Sequence, residues 1–169
     1  LLGLSYPGGP AVARAAERGN PEAFKFPRGM LHSSDLEFSF SGLKTAVRYA
    51  VAENYASGIM NHGDTANVAA SFQAAVVDVL IAKTITAAQR YGVRTVLLGG
   101  GVAANTQLRT QLGDAVRDQL PDSSFMIPDS SLTGDNAAMI AAAGGVRLLL
   151  GEKTPWEQLD VDANWELGR

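Results

Sequence analysis

The chain has 169 residues, 46% hydrophobic and 18% charged, which is enough apolar material for one buried core and argues against disorder. Basic residues number 14 against 17 acidic ones, a net charge of −3, so no basic footprint argues for nucleic acid, although a local patch or a partner protein could supply the charge. There is no cysteine, which excludes disulfides and thiolate metal sites and is compatible with a reducing cytosol; no signal peptide or uninterrupted apolar run of about 18 residues predicts a membrane span.

The chain opens at Leu1 rather than Met, and LLGLSYPGGP reads as the tail of one element running into another, as expected of a piece cut from a larger protein. Gly8-Gly9 before Pro10 predicts a helix that closes at Gly19-Asn20. Residues 20–36 carry Pro21, Pro27 and Gly29 and read as a loop, after which LEFSF (36–40) alternates like a strand. SGLKTAVRYAVAEN predicts a helix with Ser41 as candidate N-cap. Residues 56–63 read as a loop, and 64–91 as one long helix. A short apolar strand at 94–98 runs into three glycines, followed by a helix at 105–119, a strand at 124–128 and a helix at 135–150.

From Ala137 to Val146 every residue is apolar or Gly, so the last helix is expected to be buried on most sides. The tail, with Trp156, Trp165 and several acids, matches no element. There is no internal repeat or low-complexity segment. Strand, glycine turn, helix, strand, helix is an α/β pattern with parallel pairing, in which ligands sit beyond the carboxyl ends of the strands. The glycines 99–101 and the turn 133–135 should therefore share one edge.

Four stretches could carry chemistry. LLGGGVAAN (97–105) lets a ligand approach the backbone and leads into a helix start that favours negative charge; equally, it is a tight strand-to-helix turn with Asn105 as N-cap. It matches neither a Walker loop nor G-x-G-x-x-G. In LTGDNAAMIA (132–141), Asp135 either caps its helix or serves as a metal ligand or phosphate-side acid. In FSFSGLKTAV (38–47), Lys44 opposes the dipole of its own helix, and either reaches solvent or meets an anion. YPGGP (6–10) alone is a turn. His32 and His62 are thirty residues apart without ligand spacing and read as solvated loop residues. No serine or cysteine triad stands out, which counts against a peptidase.

Together, GLSYPGGPAVARAAERG, FPRGM, FSFSGLKTAV, GGGVAAN and LTGDNAAMIA resemble, in order and spacing, the tRNA threonylcarbamoyladenosine transferases, the TsaD family once described as O-sialoglycoprotein endopeptidases. The resemblance covers nearly the whole chain, fades after about residue 150, and points to the C-terminal half of such a protein. It implies an α/β fold of the actin-like, sugar-kinase-like (ASKHA) ATPase class, with a mixed sheet and flanking helices. Residues 1–150 would form most of the second lobe, with a helical insertion at about 10–62, and 151–169 a C-terminal tail.

The implied activity is acyl transfer: threonylcarbamoyl passes from threonylcarbamoyl-AMP to the tRNA adenosine beside the anticodon. A non-catalytic paralogue serving as a dimerisation scaffold and a kinase or ATPase of the same fold are the alternatives. By position in the motifs, Gly9, Gly100, Gly101 and Asn105 would contact the nucleotide-type substrate, threonylcarbamoyl-AMP or an ATP-like ligand. Asp135 would be one ligand of a divalent ion, iron or zinc, that would act as a Lewis acid. The family's H-x-x-x-H pair and an aspartate are absent and would precede residue 1, so the fragment alone is expected to be inactive. Thr133-Gly134 stand where the family commonly has Cys-Thr. Implied partners are tRNA and other proteins of the pathway, with a homodimer of the fragment possible, no membrane, and a cytoplasmic location.

Overall fold

The computed structural model describes residues 2–56 and 62–160. Its centre is one helix. α3 (His62–Tyr91) runs 30 residues because nothing in its interior breaks it: after Gly63 the segment holds neither Gly nor Pro and is rich in Ala and Val. It ends on Gly92 at φ +58°, where the Val93 N–H donates to the Ala88 carbonyl and the Gly92 N–H to that of Gln89. This closure suits a residue without Cβ.

Three apolar clusters use different stretches and faces of α3. Ala69 and Ala70 pack on Ala15 and Ala16 of α1 (Gly8–Ala16). Val68 and Ala75 pack on Leu43, Val47 and Val51 of α2 (Ser41–Ala56), with Phe26 closing that cluster. Val77, Ile85 and Ala88 pack on Leu108, Leu112 and Val116 of α4 (Thr106–Gln119) and on Val96 of β1 (Thr95–Leu97). This accounts for α3 being apolar nearly all round. By length and composition the stretch Gly63–Tyr91 could cross a membrane, but more than half of its most apolar window is buried in the protein.

β1 pairs in parallel with β2 (Ser124–Met126), Val96 opposite Phe125. Those two residues face the helices, and Gly113 of α4 leaves room for the Phe125 ring, 3.2 Å from where a Cβ would stand. Thr95 and Ser124 join hydroxyls at 3.0 Å on the other face, where Leu97 and Met126 lie exposed. The α/β pattern and the parallel pairing expected from sequence are present; the sheet has two strands among the described residues.

Several expectations need correction. Residues 36–40 form no strand: the segment runs as irregular chain, without a ladder partner, into α2. Alternation alone cannot supply the neighbour that a strand requires. Ser41 is the first residue of α2 rather than its cap, because Phe40 offers the first carbonyl, to the Lys44 N–H at 2.9 Å, and the Ser39 hydroxyl accepts from the Ser41 N–H. The last helix, α5 (Ala137–Leu149), is exposed along its whole length, with Ile140 at 67% and Leu149 at 89%, not buried. The long helix begins two residues earlier than expected, so His62 belongs to α3, although its side chain lies outside the described residues. The greater part of the loop expected at 56–63, and Trp165, also lie outside them; Trp156 opens a short 3-10 turn.

Candidate functional site

Between α1, α3 and the start of α4 lies a cavity of about 870 Å³. α1 presents Gly8, Gly9 and Pro10 from its first turn; the first helical N–H groups have no partner in the helix, so this end carries partial positive charge. Pro10 is tolerated there because a first-turn N–H is not needed for the helical ladder. The opposite wall is the glycine turn after β1. Gly100, at φ +78°, lets the chain reverse into a 3-10 turn, Gly101–Ala104, whose residues Gly101, Val102 and Ala104 line the space. The floor is α3, through Phe72, Gln73, Val76, Val77 and Leu80.

Asn105 stands where this wall turns into α4. Its Oδ1 accepts from the Leu108 N–H at 2.9 Å, which makes it the N-cap of α4, one of its two readings from sequence. Its Nδ2 donates to Gln73 Oε1 at 2.7 Å, and Gln73 Nε2 donates to Gln107 Oε1 at 2.7 Å. Among the described residues Arg14 is the one charged side chain lining the cavity, and no carboxylate lines it. Two helix N-termini, one cation and mostly apolar walls suit an anion that carries a flat or apolar body.

The structure thus brings Gly9, Gly101 and Asn105 into one cavity, with Gly100 shaping the turn beside it. Asp135 is not among the lining residues. The glycine turn and the segment leading to Asp135 do leave the same end of the two parallel strands, as the topology predicts. However, Asp135 is exposed, and it is not the cap of α5: Asn136 is, accepting from the Met139 N–H at 2.9 Å. Among the described residues no group of three His, Cys, Asp or Glu side chains comes close enough to hold a metal ion. His32 is exposed in its loop. Lys44 is exposed too, beside a second cavity of about 710 Å³ lined by Leu2, Phe40, Val47 and Phe72.

Two further residues were not singled out from sequence. Gln73 is a polar side chain inside the apolar run 74–77 and 68–72, interrupted otherwise only by Ser71, and that interruption was the available signal. Arg109 reaches back from α4 to donate through Nε to the Ala103 carbonyl, tying the glycine turn to the helix it opens. Near its guanidinium, Asp129 is held below the usual carboxylate range, chiefly by the Ser131 hydroxyl, then by the Ser131 N–H, with Arg109 adding attraction. No sequence spacing announces that pairing.

Residues 1–142 match the family model described as TsaD, tRNA N6-adenosine threonylcarbamoyltransferase. A protein of that name from Listeria innocua serovar 6a is 47% identical over 166 residues, covering 96% of this chain and 46% of the relative. One from Herminiimonas arsenicoxydans is 49% identical over 148 residues, 88% of this chain and 42% of the relative. One from Paracidovorax citrulli is 46% identical over 169 residues, 99% of this chain and 47% of the relative. The chain therefore spans just under half the length of these relatives.

Proposed function

Because this chain belongs to the tRNA N6-adenosine threonylcarbamoyltransferase family, we propose that it forms the second lobe of a two-lobe enzyme with the actin-like, sugar-kinase-like fold. In this reading its cavity holds the adenylate from which threonylcarbamoyl passes to tRNA. The observation that carries the reading is the convergence of Gly9, Gly101 and Asn105 on one cavity.

The donor is a mixed anhydride, so its carbonyl is activated before the enzyme meets it. The exocyclic amine of adenosine attacks that carbonyl; the new C–N bond forms, the bond to the phosphate oxygen breaks, AMP departs with the electron pair, and the amine loses a proton. No protein nucleophile is needed. This chain's contribution is to bind and orient. The helix start at Gly8–Gly9 and Arg14 offset the charge of the phosphate, while Val76, Val77, Leu80 and Leu108 flank the base. Asn105 supplies an N–H at the polar edge. Asp135 would be one ligand of the iron or zinc ion that family membership implies; among the described residues no further His, Cys, Asp or Glu side chains gather around it, and the two histidines would come from the other lobe. No observation favours the scaffold or kinase alternative.

A hybrid in which this chain replaces the matching stretch of the Listeria innocua relative is the direct test. Incubated with threonylcarbamoyl-AMP and tRNA, it is expected to yield threonylcarbamoyladenosine in the digested tRNA, and Asn105→Ala should lower the yield about tenfold or more. Unmodified tRNA from a folded hybrid, together with no binding of AMP to the chain by calorimetry, would overturn the proposal.

A further inference from the structure

We infer that Gln73 is a positioning residue that fixes the hydrogen-bond polarity of the cavity, so that the site selects ligand atoms that accept hydrogen bonds. The inference rests on the cavity being a nucleotide site. It starts from a backbone group that has no choice. The Leu108 N–H can only donate, so the Asn105 atom 2.9 Å from it is the carbonyl oxygen, and the amide nitrogen must face Gln73. The atom of Gln73 that receives it at 2.7 Å is Oε1, which turns Gln73 Nε2 toward Gln107. Gln107 completes the relay by accepting at 2.7 Å. A helix cap thus sets the orientation of two further side chains, each by excluding the flipped amide.

Two of the three relay residues, Asn105 and Gln73, line the cavity. Each amide nitrogen carries two protons and spends one within the relay, so the edge formed by Asn105 and Gln73, across the mostly apolar space from Arg14 and the start of α1, offers N–H. A ligand that sets a ring nitrogen or an ether-type oxygen against this edge is matched. One that sets an amine there leaves donors facing donors, which is costly where water is excluded. Within a nucleoside this favours a pose with acceptors toward α3 and the exocyclic amine turned away.

The test uses the 169-residue chain with adenosine, a neutral probe, read by calorimetry. Gln73→Met keeps the volume and removes the relay; Gln73→Glu can still accept from Asn105 but has no N–H; Gln107→Glu keeps the acceptor that the relay needs. Affinity is expected to fall about tenfold in the first two and to stay within about twofold in the third, with unfolding midpoints unchanged. Wild-type affinity in both Gln73 variants would overturn the inference. Side-chain amide NMR decides the relay without any ligand. The two Asn105 Nδ2 protons should be well separated in the wild type and in Gln107→Glu, and should converge in Gln73→Met; unchanged signals there would overturn the relay. If the wild type binds no adenosine, the nucleotide reading fails, and ligand selection with it, while the amide signals still judge the relay.

Discussion

Asp135 and Asn136 are neighbours with separate duties. The Asn136 side chain accepts from the Met139 N–H and donates from Nδ2 to the Gly134 carbonyl at 2.9 Å, so it both caps α5 and closes the turn before it. Asp135 is exposed and takes no part in the cap. Replacing Asn136 by Ala should cost about 1 kcal/mol in urea denaturation, whereas Asp135→Ala should stay within about 0.5 kcal/mol. Equal losses would return the cap to the acid. Sequence could not separate these two, because both residue types cap helices and stand one position apart. Asn105 was legible as a cap for the opposite reason: it alone among its neighbours has a capping side chain three residues before an apolar core position, Leu108.

At the scale of elements, the loop 20–37 owes its place to α3. Buried Ser71 donates to the Asn20 carbonyl and accepts from the Phe24 N–H; Arg28 pairs with Asp78 at 2.9 Å. Lys83, only 5% exposed, donates to the Ser33 hydroxyl and the Asp35 carbonyl at 2.8 Å each. The Asp35 carboxyl is held below its ordinary value chiefly by the Ser33 hydroxyl; burial opposes this as the next largest effect, and the Glu37 N–H and Lys83 add further lowering. A depressed carboxyl stabilises the fold above its unfolded pKa, near 3.9, and that contribution is lost as pH falls through the lower folded value. Wild-type stability should therefore drop more steeply than that of Asp35→Asn when denaturation is followed from about pH 5 into the acid range. Parallel slopes would show that the carboxylate contributes nothing to the clamp.

The helices were the most legible elements, since capping and breaker residues bound them locally. The strand expected at 36–40 was not, because pairing depends on a partner far away in sequence. α5 teaches a related limit: an apolar pattern says that a helix disfavours water, but not which surface covers it. In this chain Leu149→Gln should change stability by less than about 0.5 kcal/mol, against the several kcal/mol that a buried leucine would lose. A loss of that size in denaturation would restore the buried reading.

At the scale of the whole molecule, α3 is the shared support of core and cavity. The turn that follows α1 comes so close to it that a Cβ on Gly19 would stand 2.0 Å from the Ala66 carbonyl oxygen. Gly19→Ala must push this turn, and with it the end of α1, outward, with an expected loss of about 1–3 kcal/mol. Because α1 also forms the wall carrying Gly9, AMP affinity should fall in the same variant, though Gly19 lies outside the cavity. Loss of stability with unchanged affinity would show that the wall is not tied to that contact. The cavity itself could not be drawn from sequence. Its glycines and Asn105 were visible as motifs, but what unites them is the floor supplied by a helix between them in the chain.

That shared floor has a kinetic consequence. α1 is set against α3 through Ala15 and Ala16 and through the turn at Gly19, and the glycine turn and α4 are joined to it through the Asn105–Gln73 bond and the cluster around Val77 and Leu108. All three sides of the space are assembled before any ligand arrives. Among the described residues no wall has to be built by an incoming molecule, so capture of the proposed nucleotide would be governed by encounter, and its residence by the contacts made on arrival.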